Sequence, residues 1–333
     1  MKGIHTGSVM SGSRGSQEGS STYTFLGFVI ICAVVIGAAL FFPWGDVFRP
    51  GQDPDTVAGN AAMAKKDWDK AIALYSRAIK NNPANAAAYL SRSRAYLQQG
   101  ALDKSIADAT AALQKIPNNP AAYGQRAIAK KLLQQYDQAL EDLDRAVKLD
   151  GGFAWAYAQR ADIHMKQKSP EKALTDVNSA LQKKPNFVEA HRLRAWVLSS
   201  MGKCKEASED FAKVEKLSPN DALSLQDLAW FLMTCPNEQL QDTVKAMELA
   251  KKAAEMTGGK DGVVLETLAE AYFRQGDPAK ATEYQKKAIE LGSKNCPDNS
   301  CLKEMQQRLQ KYEMAARQEV RTNYEILPVD SQL

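Results

Sequence analysis

Two charged sets recur along this chain at a constant spacing. Arg92, Arg126, Arg160 and Arg194 lie 34 residues apart, and so do Asp108, Asp142, Asp176 and Asp210. A row of guanidiniums would hold anionic groups of a ligand; paired one to one with the carboxylates, the same side chains would be fixed ion pairs. The ends of the series discriminate between pairing schemes. Ala58 and Leu74 stand at the equivalent positions before the series, and Leu228 stands at the arginine position after it. Pairing each arginine with the aspartate that follows it leaves no charge over, whereas pairing it with the preceding aspartate strands Arg92 and Asp210. An unpaired, partly buried charge costs several kcal/mol, so the spacing predicts one structural ion pair per 34-residue unit.

Other reactive side chains form no constellation. Adjacent carboxylates such as Glu141 and Asp142 fall on solvated helices, and no glycine-rich phosphate loop follows a strand, because no strand pattern exists. The chain has three His and five Cys. Cys32 sits in an apolar stretch, which leaves Cys204, Cys235, Cys296 and Cys301, with spacings unlike those of a zinc site. Cys204–Cys235 and Cys296–Cys301 are candidate disulfides that would require an oxidising compartment; four free thiols is the other reading. His164 and His191 take packing positions. No catalytic group, metal or cofactor is expected. Hydrophobic residues make up 44% of the chain, aromatics 8% and charged residues 25%, with a net charge of +4. That balance excludes wholesale disorder and a strongly basic nucleic-acid binder. The abundant alanine favours helices packed backbone to backbone.

The elements that must position these residues are legible from the period. Units close at Pro83, Pro117, Gly151, Pro185 and Pro219, each 34 residues after the last. Counted from the start of each unit, the fourth place holds Tyr89, Tyr123, Tyr157 and His191. The eighth holds Gly59, Ser93, Ala127, Ala161 and Ala195, and the twentieth Ala71, Ser105, Ala139, Ala173 and Ala207. Small residues at these places let two antiparallel helices approach closely, and a closing proline punctuates the second helix. This pattern resembles the tetratricopeptide repeat (TPR) family, with its 34-residue period and small residues at places 8, 20 and 27. The resemblance implies an all-α, right-handed superhelix of about seven helix-turn-helix repeats over residues 52–295. The repeats fall near 52–85, 86–119, 120–153, 154–187, 188–221, 222–261 and 262–295. In the sixth unit, Thr234–Leu240 reads as an enlarged turn. A capping helix follows at 296–321, then a tail at 322–333. The segments 228–236 and 266–272 resemble a terminal module of bacterial TPR proteins.

Residues Phe25–Trp44 carry no charge and are long enough, as a helix, to cross a ~30 Å hydrocarbon layer. A transmembrane helix is expected at 23–44, between a Ser/Gly-rich tail at 1–22 and a linker at 45–51. Lys2 and Arg14 precede the span, while Arg49 follows it among acidic residues. The positive-inside rule then places the N-terminus in the cytoplasm and the repeats across a bacterial inner membrane.

The family's first helices line a concave groove. Its inward places here hold Arg94, Gln125, Trp155, Gln159, Asp162, Arg192, Trp196, Gln226, Trp230, Glu266, Glu270 and Phe273. Trp and Arg are frequent binding hot spots, although a tryptophan at these places can equally serve as core. The groove suits an extended peptide or a helix of a protein partner. The carboxylate clamp of chaperone-binding TPR domains is not reproduced: Asn60 matches one place, but Thr56, Ser91, Ala121 and Gln125 replace the rest. The expected role is a membrane-anchored scaffold for an envelope or secretion complex. A cytosol-facing receptor or co-chaperone is the alternative, and nucleic acid is not an expected partner.

Overall fold

The computed structural model describes residues 53–292 and 299–325, and these contain fifteen α-helices and one short 3-10 turn. Fourteen helices form seven pairs. They are α1 (Pro54–Ala64) with α2 (Trp68–Asn81), α3 (Ala86–Gln98) with α4 (Leu102–Lys115), and α5 (Pro120–Leu132) with α6 (Tyr136–Leu149). Next come α7 (Ala154–Lys166) with α8 (Pro170–Lys183), and α9 (Val188–Ser200) with α10 (Cys204–Leu217). The last pairs are α11 (Ala222–Thr234) with α12 (Thr243–Met256) and α13 (Gly262–Arg274) with α14 (Pro278–Gly292); α15 (Asn299–Glu325) closes the array. Each pair packs within itself and against its neighbours in sequence, the arrangement of an α-solenoid. Among the described residues no helix is long and apolar enough to cross a membrane. Phe25–Trp44 and Cys296 lie outside the described residues.

Local chemistry sets the helix ends. Asp53, Asn85, Asn119, Asp221 and Asp261 precede first helices, and their side chains accept hydrogen bonds from backbone N–H groups of the first turn. Each first helix except α11 ends on a residue with positive φ: Lys66, Gly100, Gln134, Lys168, Gly202 and Gly276. That left-handed step turns the chain tightly into the second helix. Three repeats meet the requirement with glycine and three bear the strain with a long side chain. In the sixth repeat the step is replaced by the 3-10 turn Glu238–Leu240 and its flanks.

The small residues sit at the helix crossings. Ala71, Ala139, Ala173 and Ala207 are fully buried, and in the second repeat Ser93 bonds to both the hydroxyl and the carbonyl of Ser105. A Cβ on Gly59 would run into the Tyr75 ring. The apolar interior is a chain of clusters that enlarges from repeat 1 to repeats 5–7 and is small again where the last helix packs. The largest joins Trp196, Phe211, Phe231, Met233, Met247 and Leu268 across repeats 5–7.

Candidate functional site

Two polar ladders run through the array. In the outer one, each arginine Nε bonds the aspartate of its own second helix: Arg92–Asp108 at 2.7 Å, Arg126–Asp142 at 2.9 Å, Arg160–Asp176 at 2.8 Å and Arg194–Asp210 at 2.7 Å. Nη2 bonds the second carboxylate oxygen, so each pair is bidentate. The remaining nitrogen, Nη1, reaches back to the preceding repeat. It donates to Ser76 at 2.9 Å, Thr110 at 3.2 Å, Asp144 at 2.7 Å and Asn178 at 3.0 Å. These four acceptors are themselves 34 residues apart. Each arginine is therefore a clip between repeats as well as within one. Tyr89, Tyr123 and Tyr157 lie against the same guanidiniums, with ring centroids 5.4–5.7 Å away.

Local substitutions vary the ladder. Lys130 adds a second cation 2.8 Å from Asp142, and His164 lies 3.5 Å from Asp176. Burial holds the His164 imidazole below its ordinary value, against the pull of Asp176. His191 replaces the tyrosine, with Nδ1 2.7 Å from Asp210 and Nε2 2.8 Å from the Pro185 carbonyl. After Arg194 the ladder stops: Leu228 takes the arginine place and Ala212 the acceptor place.

The inner ladder joins successive first helices along the predicted groove. Lys131 Nζ donates to Gln159 at 2.6 Å and Asp162 at 2.9 Å. Burial alone would raise the Asp162 carboxyl, but Lys131 and Lys166 together hold it below its ordinary value. Arg192 donates to Asp227 at 2.6 Å and Gln226 to Thr267 at 3.0 Å. Arg308 donates to Glu266 at 2.9 Å and Tyr312 to Glu270 at 2.7 Å. The link from place 5 of one repeat to place 6 of the next thus occurs twice at the C-terminal end, and Glu266, at place 5 of repeat 7, meets Arg308 of α15 instead.

This network changes the reading of the groove residues. Gln125, Gln159, Arg192, Trp196 and Gln226 are buried. Trp196 is a core residue: it is 3% exposed and stacks edge-on against Phe211 at 5.3 Å. Trp230 and Phe273 remain partly exposed, but α15 lays a cation over each ring, Arg308 at 4.8 Å and Lys311 at 4.5 Å. Arg94 and Trp155 are partly exposed on the inner face of repeats 2–4. Trp155 rests against Gly124, where an added Cβ would meet the ring at 2.8 Å. Cys204 and Cys235 are brought together as buried thiols. Among the described residues no group of His, Cys, Asp and Glu could hold a metal ion.

At the cap, burial pushes the Glu266 carboxyl up against the pull of Arg308, and pushes Glu304 up beside the same two groups. A carboxyl raised on docking takes up a proton that the undocked helix releases, so docking strengthens as the pH falls from neutral toward the ordinary carboxyl range. Exchange of the α15 amides, corrected for intrinsic rate, is expected to be slower at pH 5 than at pH 7. Faster exchange at pH 5 would contradict this sign.

Two family models match. One described as tetratricopeptide repeat covers residues 56–120 and 125–187, and one described as the Psidin N-terminal TPR repeats region covers 164–324. The chain belongs to the TPR family. Solved TPR arrays have the same fold. A TPR protein from Parabacteroides merdae is similar with TM-score 0.59 and 18% identity, over 78% of this chain and 97% of that one. The APC/C Cut9–Hcn1 hetero-tetramer matches at TM-score 0.64 and 14% identity, over 86% of this chain and 52% of that one. Yeast Tom70 matches at TM-score 0.57 and 17% identity, over 87% and 70%. In sequence, 42 residues are 52% identical to the chloroplastic outer envelope protein 64 of Arabidopsis thaliana, 13% of this chain and 7% of that protein. TPR proteins are generally scaffolds for protein–protein contacts, and the outer ladder fits that role as architecture.

Proposed function

We propose that this TPR chain is a membrane-anchored scaffold. Phe25–Trp44 holds it in a bacterial inner membrane with the N-terminal tail in the cytoplasm. The repeats then present their inner face to a protein or peptide partner outside the cytoplasm, during assembly of an envelope or secretion complex. The observation that carries the binding role is the division of the inner face. At repeats 6–7 the chain's own α15 lays cations over the partly exposed Trp230 and Phe273, while at repeats 2–4 the partly exposed Arg94 and Trp155, the latter packed on Phe153, stand on an ion-paired frame away from α15. Tryptophan and arginine are among the residue types most often found as anchors for a partner.

Crosslinking and capture from intact cells tests this reading. Trp155→Ala is expected to reduce recovery of the partner at least tenfold while leaving the array folded by circular dichroism. Trp230→Ala, under Arg308, is expected to reduce it far less. Equal recovery with wild type and Trp155→Ala would reject the repeat 2–4 face as the binding site. Protease shaving of sealed inverted vesicles, with the repeats degraded from the cytoplasmic side, would reject the orientation.

A further inference from the structure

Cys204 and Cys235 come from adjacent repeats. Cys204 opens α10 and Cys235 closes α11, where the enlarged turn begins. They are 5% and 1% exposed and share one apolar cluster with Trp196, Phe211 and Phe231. The two thiols are enclosed together in this cluster, and burial, with Cys204 adding to it, pushes the Cys235 thiol up to about 11. The turn folds back on this point: Gln241 Nε2 donates to the Cys235 carbonyl at 2.7 Å, and the Asp242 amide to Leu232 at 3.1 Å. No left-handed residue closes this turn as one does in the other six repeats.

We propose that Cys204 and Cys235 become a disulfide while the chain folds in an oxidising compartment, stapling repeat 5 to the enlarged turn of repeat 6. The oxidant is a disulfide-bearing thiol carrier. One cysteine thiolate attacks the carrier's S–S bond, forming a mixed disulfide and expelling one carrier thiolate. The second cysteine thiolate then displaces the other carrier sulfur, so the new S–S bond forms as the mixed one breaks. The two thiol protons pass to the carrier sulfurs and the two electrons reduce the carrier to its dithiol. A buried thiol that stays protonated exchanges slowly, so the reaction precedes closure of the repeat 5–6 junction and the finished bond is then enclosed. The compartment rests on the orientation proposed above; the pairing rests on the shared burial of the two thiols at the repeat 5–6 junction.

The full chain carrying Cys32→Ser, Cys296→Ser and Cys301→Ser, in detergent micelles, isolates the pair. It is unfolded in urea and refolded with oxidised glutathione or with dithiothreitol, then alkylated, digested and weighed. A linked Cys204–Cys235 peptide is expected from the first sample, with a melting temperature about 5 °C or more above the second. Both cysteines alkylated after glutathione refolding, or a linked form that melts lower, would overturn the pairing. The same chain alkylated in intact cells before lysis separates the compartment. A linked pair supports both parts, and a pair linked in the tube but free in cells overturns the extracytoplasmic placement alone.

Discussion

Asp142→Ala is expected to lower the melting temperature of the array on the order of 5–10 °C. Asp142 is 4% exposed and answers three donors: Arg126 through Nε and Nη2, at 2.9 and 2.6 Å, and Lys130 at 2.8 Å. Alanine leaves two partly buried cations facing each other with no anion between them. Removing one partner of such a pair costs about 3 kcal/mol, at roughly 2–4 °C for each kcal/mol in a chain of this size. The loss exceeds that of an isolated pair because Arg126 also holds Thr110 of the preceding repeat at 3.2 Å. Replacing both Arg126 and Asp142 by apolar residues should recover part of the stability, since the burial of charge disappears with the pair. An unchanged melting curve for Asp142→Ala, together with loss of partner binding, would assign the outer ladder to recognition instead.

Phe211→Ala should be comparably severe, by cavity formation. Its ring is fully buried between Trp196, at 5.3 Å and nearly perpendicular, and Phe231, at 4.8 Å. A buried phenylalanine replaced by alanine costs about 3–5 kcal/mol, partly for lost burial and partly for the void. The cluster around Phe211 contains both cysteines and reaches Leu268, so repeats 5–7 should loosen together. Phe211→Leu keeps most of the volume and should retain most of the stability. Calorimetry of the two variants decides the matter: equal melting of Phe211→Ala and the parent would mean that the cluster is not cooperative.

The seven helix pairs and the closing helix were readable because their signals are repeats of residue type: small at places 8 and 20, arginine at 7, aspartate at 23. The third contact of each arginine was not. Ser76, Thr110, Asp144 and Asn178 share only the ability to accept a hydrogen bond, so no single letter marks the column. The groove list was less reliable for a related reason. Places that face inward in a generic repeat are filled from the next repeat when that neighbour brings a matching group, as Asp227 does for Arg192. Trp196 illustrates this: its place faces the groove, but the bulk of Phe211 draws its ring into the core. The covering of Trp230 and Phe273 by α15 depends on contacts more than 35 residues away and left no local trace.

The end of the outer ladder at Arg194 divides the solenoid by the kind of force that holds it. Repeats 2–5 are clipped by partly buried ion pairs, whereas repeats 5–7 cohere through the largest apolar cluster. Salt screens the more exposed arginine side of the first kind of bond in part and leaves the second intact, while cooling weakens the second. The array is therefore a rod of two materials. Ionic strength bears on the compliance of its N-terminal part, and temperature on that of its C-terminal part.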